Sequence, residues 1–166
     1  MMLLRQSRSV LARRTFASVP ETMKAAVVRV VGDADALEVG DYPTPSVGEG
    51  QVLVKNEFAG INFIDTYHRS GLYARDLPFV GGQEGGGEVA AVGAGVTDVA
   101  VGDRVAYSVF GSYAEYTAVP AAKVLPVPDE VAMDVAVSCV VKQGSKRERN
   151  SQLQRLISRP FSTRFG

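Results

Sequence analysis

The chain has 166 residues, 46% of them apolar and 22% charged, a balance that suits a soluble globular protein with enough material for one sizeable core. No apolar run approaches the length of a membrane span, so membrane insertion is not expected. The single cysteine, Cys139, excludes an internal disulfide and any Cys-rich zinc site.

The net charge of zero conceals a split. Residues 1–20 hold four arginines and no acid, and residues 142–166 hold seven Lys or Arg against Glu148 alone. Of the eighteen basic and eighteen acidic groups, the body from 21 to 141 therefore keeps seven basic and seventeen acidic. An acidic body between two basic ends suggests three pieces of different origin.

Met1 to Ser18 has the composition of a mitochondrial presequence. Arg5, Arg8, Arg13 and Arg14 alternate with Leu3, Leu4, Val10 and Leu11, without acid and without the continuous apolar centre of a secretory signal. Arg14-Thr15-Phe16 followed by Ala17-Ser18 resembles a matrix-processing site cut after Phe16, so the expected location is the mitochondrial matrix.

From Lys24 the signals are those of strands. Ala25 to Val31 is rich in Val, Gly32 to Asp35 is a turn, and Leu37 to Tyr42 can return as a second strand. A Pro- and Gly-containing loop leads to Gln51–Ala59, where Val52, Val54, Asn56 and Phe58 alternate with Leu53, Lys55 and Glu57. The period then changes. Over Asn62 to Ser70, Ile61, Ile64 and His68 can share a helical face, with Phe63 and Tyr67 beside them and Gly60 and Gly71 at the two ends. On spacing alone Asn62 is an N-cap and Tyr67 a half-buried packing residue. Leu72 to Pro78 is a loop, a glycine-rich stretch from Gly81 to Gly87 opens a strand over Glu88–Val92, and Gly102-Asp103 turns into another. Gly111 to Val119 alternates like a strand, Lys123 to Val127 closes the set, and Glu130 to Val141 can begin a helix. Seven or so short strands separated by turn signals predict a mainly β, small barrel-like domain.

The run from Gly60 to Gly71 resembles the active-site corner of the NADPH:quinone oxidoreductases (zeta-crystallin-like), a zinc-free branch of the medium-chain dehydrogenase/reductase superfamily. The similarity extends from about Met23 to Asp129, which implies an extension over 1–22, the domain over 23–129 and a non-family segment over 130–166. It includes the spacing of Gly82, Glu84, Gly87 and Gly93, which resembles the superfamily's glycine-and-glutamate signature, and the segment Gly111 to Tyr116. The resemblance implies a GroES-like, partly open β-barrel with short helices, the family's N-terminal catalytic domain. It implies NADPH as cofactor and a quinone or conjugated carbonyl as hydride acceptor. Asn62 and Tyr67 would line the nicotinamide end of the cleft. Phe63, Ile64 and Tyr73 would form the apolar wall of the substrate pocket. Gly82, Glu84, Gly87 and Gly93 would shape the glycine loop, and no residue is singled out as catalytic.

Several sites are excluded on chemistry. Gly85 to Ala90 formally fits a dinucleotide fingerprint, but a loop precedes it and a Val-containing strand follows, whereas the motif must open a helix. In zinc-dependent relatives a Cys stands in place of Asn62 and a His in place of Gln83, so no metal is expected. His68, the one imidazole, reads as a packed or rim residue. Glu84 reads as a structural acid among glycines. The basic tail lacks interleaved aromatics, so nucleic acid is not an expected partner.

Family-like sequence stops near residue 139. The expectation is that the Rossmann cofactor domain is absent and that this polypeptide alone is inactive. Apolar surface near Phe63, Ile64, Val137 and Val140 should then be left open, and oligomers built through the cofactor domain are not expected. The competing reading is a non-catalytic GroES-like binding module.

Overall fold

A computed structural model describes residues 18–140. Nearly all of the presequence reading and the whole of the basic tail lie outside the described residues.

Eight strands form two antiparallel sheets. In chain order they are β1 (Thr22–Val28), β2 (Leu37–Pro43), β3 (Gln51–Gly60), β4 (Phe79–Val80), β5 (Glu84–Val92), β6 (Arg104–Tyr107), β7 (Tyr116–Pro120) and β8 (Val124–Pro126). One sheet has the order β2-β1-β4 and the other β7-β3-β5-β6-β8. Two short helices interrupt them, α1 (Phe63–Ser70) and α2 (Met133–Ser138). The sheets are open, and the loop before β7 stitches them together. Ala26 N–H donates to the Tyr113 carbonyl at 2.7 Å, Tyr113 N–H to Gly81 at 2.9 Å, and Glu115 N–H to Lys24 at 3.0 Å. The expected mainly β, partly open GroES-like architecture is the one observed.

Three departures from the sequence expectations have physical causes. The expected strand Gly111–Val119 contracts to Tyr116–Pro120, because its first half spends its backbone groups on the stitch between sheets. The glycine-rich stretch lies largely inside a strand, since β5 begins at Glu84. The glycines inside β5 are there for space, not for turning: a Cβ on Gly86 would meet Val137 and Met133, and one on Gly85 the Tyr107 ring. The alternation expected in β3 also fails, because Leu53 is as buried as Val52 and Val54. Register shifts at Leu53/Val54 and Asn56/Phe58 break the period of two.

Helix α2 overturns one expectation. Val137 and Val140 do not lie open. Each is 2% exposed, packed with Ala106, Leu125, Val127, Val131, Met133 and Ala136. The chain's own strands β3, β5 and β6 supply the partner surface.

The second core cluster holds Val52, Val54, Val89, Val105, Val119 and Val124 around the buried Tyr107. The Tyr107 hydroxyl donates to Asn56 Oδ1 at 2.7 Å, and Asn56 Nδ2 donates to the Ala114 carbonyl at 2.7 Å and Thr117 Oγ1 at 2.9 Å. This network ties β3 to the loop that carries Tyr113. Burial pushes the Tyr107 phenol above its ordinary value of 10.0. The folded group thus titrates later than the unfolded one. Its contribution is fully present below about pH 10 and is lost as pH rises beyond it. Tyr107→Phe removes that dependence and leaves Asn56 Oδ1 without its donor. We expect a loss of about 1–3 kcal/mol at neutral pH and a shallower decline of the urea midpoint above about pH 10 than in the parent. Parallel alkaline declines would show that the phenol does not titrate on unfolding.

Candidate functional site

The corner between β3 and α1 is built from sequence-local and distant parts. Asn62 has extended backbone geometry (φ −127°, ψ 152°), and the chain becomes helical at Phe63. The Asp65 carboxylate reaches back one turn, its Oδ2 accepting the Asn62 backbone N–H at 2.8 Å. This is one half of a capping box, and it satisfies a donor the helix start would otherwise orphan. Gly71 ends the helix in the left-handed region at φ 82°, returning its N–H to the His68 carbonyl.

Two residues far away in sequence lock this corner. Asn62 Nδ2 donates to Glu84 Oε1 at 2.9 Å, joining the helix start to the first residue of β5. Glu84 is 5% exposed and pairs across the sheet with Gly60, where a Cβ would run into its carboxylate. The glycine before the corner thus makes room for the acid that holds it. Tyr113 donates its hydroxyl to the same Asp65 Oδ2 at 2.8 Å. Its ring lies against Gly82, whose φ of 91° and lack of a side chain let the two meet. Burial, then the neighbouring Asp65, pushes the Tyr113 phenol above its ordinary range, so it stays a donor.

The structure joins Asn62 and Glu84 directly and sets Tyr67 edge-on to Tyr73, with ring centroids 5.4 Å apart. The Tyr67 hydroxyl makes no hydrogen bond among the described residues. Phe63 is 83% exposed, Tyr73 is exposed and Ile64 half-buried. Phe63, Tyr67 and Tyr73 therefore present apolar and phenolic surface at the rim. Gly87 and Gly93 stand apart, pressed against the carbonyls of Lys55 and Gly48. Ile61 does not share the helical face expected of it, because it precedes the helix and is 86% exposed. His68 packs edge-on between Tyr73 and Phe110, at centroid distances of 5.7 and 5.1 Å.

Sequence reasoning missed Asp65 and Tyr113. The first had a signal, since Asn62-x-x-Asp65 is a capping-box spacing. The second had none, because 48 residues separate Tyr113 from its partner. Among the described residues no group of three His, Cys, Asp or Glu could hold a metal ion.

Comparison with known proteins places this geometry. Residues 48–129 match the alcohol dehydrogenase GroES-like domain. The chain is 40% identical over 117 residues to a probable quinone oxidoreductase of Schizosaccharomyces pombe, covering 69% of this chain and 36% of that one. It is 44% identical over 114 residues to the quinone oxidoreductase of Pseudomonas aeruginosa, covering 67% and 35%. A mycobacterial protein solved in complex with NADPH superposes with a TM-score of 0.69 at 47% identity, over 72% of this chain and 38% of that one. The chain thus spans about a third of the length of these curated relatives. The chain thus contains an alcohol dehydrogenase GroES-like domain homologous to that of the quinone oxidoreductases.

Proposed function

We propose that this domain forms the nicotinamide and acceptor side of an NADPH-dependent quinone oxidoreductase. The observation that carries the reading is the locked corner. Asn62 is fixed from both sides by Asp65 and Glu84, while on the helix it starts the Tyr67 hydroxyl is unspent among the described residues, its ring edge-on to the exposed Tyr73, and Phe63 is exposed. A rigid polar corner beside open aromatic surface suits a flat ring held by stacking and one or two hydrogen bonds.

The fit is limited to that end of the cofactor. Among the described residues every strand pairing is antiparallel, so no strand-helix-strand unit is present to cradle a pyrophosphate. When bound, NADPH supplies the hydride that a quinone or conjugated carbonyl accepts. Tyr67 offers a hydrogen bond at the rim, Asn62 holds the corner's shape, and Phe63 and Tyr73 exclude water from one side of the acceptor. Asn62 and Gln83, without a cysteine near them in sequence, are a donor set that does not fit zinc.

The test is a fusion of this domain to the cofactor domain of a homologous quinone oxidoreductase, assayed for quinone-dependent NADPH oxidation. Asn62→Ala and Tyr67→Ala are each expected to lower kcat/KM by about tenfold, equivalent to about 1.4 kcal/mol of transition-state stabilisation. An unchanged kcat/KM in both variants would reduce the two residues to packing and remove the reading.

A further inference from the structure

The loop after α1 carries an exposed cation seated on an aromatic ring. Tyr73 and Arg75 stand two residues apart in it, which keeps their Cα atoms within about 7 Å of each other. The Tyr73 backbone is pinned, its N–H donating to the Tyr67 carbonyl at 3.0 Å. The Tyr73 ring meets His68 edge-on at 5.7 Å, and the His68 ring meets Phe110 at 5.1 Å. The Arg75 guanidinium carbon lies 3.4 Å from the Phe110 centroid. Phe110 is itself held edge-on, at 5.5 Å, by the buried Phe79. A row of touching side chains thus runs from the rim at Tyr73 to a guanidinium whose seat is anchored in the core.

Seating on an aromatic face uses one side of a guanidinium and leaves its N–H donors, which point outward in its plane, for a ligand. Lys24, Arg29 and Arg104 each have a carboxylate within ion-pair distance. Among the described residues Arg75 has no ion pair and no hydrogen bond, although Asp76 is its neighbour in the chain. It stays unpaired in a body, 21–141, of seven basic and seventeen acidic groups. That acidic surplus repels small free anions, so an anion that settles on Arg75 has to be carried by something the rim holds. The planar fork of donors suits a carboxylate or a sulfonate. The ring contacts of 5.7 and 5.1 Å set an upper limit to the span between Tyr73 and the Arg75 seat, and a fused three-ring quinone with its anion at one end is of that length. Resting on the reading of Phe63, Tyr67 and Tyr73 as the acceptor side, we propose that Arg75 is an anion subsite of that rim, which makes the preferred acceptor a fused-ring quinone bearing a carboxylate or sulfonate.

The test uses NMR of the ¹⁵N-labelled full chain, read at the Tyr73 amide and the Arg75 Nε–H. The ligands are anthraquinone-2-sulfonate and its uncharged isostere, anthraquinone-2-sulfonamide. Both should shift Tyr73. The sulfonate alone should shift the Arg75 Nε–H, and it should bind about fivefold more tightly than the sulfonamide, the upper range for an exposed ion pair. Arg75→Met keeps a side chain that packs on Phe110 and removes the charge. It should lower the sulfonate to the sulfonamide's affinity and leave the sulfonamide unchanged. Inorganic sulfate at the same concentrations should not move the Arg75 Nε–H. Equal affinities in the parent, a sulfonate advantage that survives Arg75→Met, or an Arg75 response to inorganic sulfate as large as that to the quinone sulfonate would each overturn the subsite and leave the rim reading standing. Failure of both quinones to shift Tyr73 would overturn the rim reading and the subsite with it.

Discussion

Gly87→Ala is expected to cost about 3–5 kcal/mol, enough to leave a marginally stable domain largely unfolded. Gly87 lies in the middle of β5, opposite the β3 segment where the register slips between Asn56 and Phe58. A Cβ there would sit inside the contact surface of the Lys55 carbonyl oxygen and 2.9 Å from the Glu57 nitrogen. Both are backbone atoms, so no rotamer change relieves the overlap. The longest pairing of the five-stranded sheet would have to part or slide, carrying Val54 and Val89 out of the core. Gly40 in β2 is the matched control, because a Cβ there meets nothing within 4 Å. Gly40→Ala should stay within about 0.5 kcal/mol of the parent. Urea midpoints of the two variants make the comparison, and a Gly87→Ala protein within about 1 kcal/mol of the parent would show that the β3–β5 contact is more forgiving than its geometry.

This same close contact explains which parts of the fold could be read from sequence. The Gly-rich run signalled that backbones approach one another, but composition does not say whether glycine is present for its dihedral freedom or for its missing side chain. Gly82 uses the first and Gly87 the second. The helix from Phe63 to Ser70 was legible because a cap, an amphipathic period and a terminal glycine are local signals. The strand assigned to Gly111–Val119 was overextended because its alternation persists where the hydrogen bonds go to another sheet, and partner choice leaves no mark on a period of two. Asn62 and Tyr67 could be named from resemblance, but what orients Asn62 could not. Glu84 is 22 residues away and Tyr113, through Asp65, farther still. The opposite faces of β3 show the same limit. A two-residue period assumes one solvent face, and Leu53 is buried on the face that the period assigns to water.

Glu84→Ala is expected to lose about 2–4 kcal/mol of stability and to release the corner, whereas Glu84→Gln should lose no more than about 1.5 kcal/mol. The Glu84 side chain is buried at the point where β5 begins, its Oε1 accepting from Asn62 Nδ2 at 2.9 Å. Removing it opens a void beside Gly60 and strands a partly buried amide donor. A hydrogen bond to a charged group contributes about 1.5–3 kcal/mol, and its loss adds to that of the side-chain packing. Glutamine retains both the volume and an acceptor oxygen within reach, so it separates the acceptor's role from the charge's. Two readouts are needed. Urea midpoints report stability, and the Asn62 side-chain amide resonances report the bond itself. In Glu84→Ala those resonances should move toward values of a solvent-exposed amide, while Glu84→Gln keeps them dispersed. In the two-domain fusion, Glu84→Ala should lower kcat/KM through Asn62, so that it adds little to Asn62→Ala, as expected of residues acting as one unit. Fully additive losses in the double variant would show that Glu84 acts on turnover by a route other than the Asn62 amide. Equal damage from alanine and glutamine would show that the carboxylate charge, and not the accepted hydrogen bond, holds the corner.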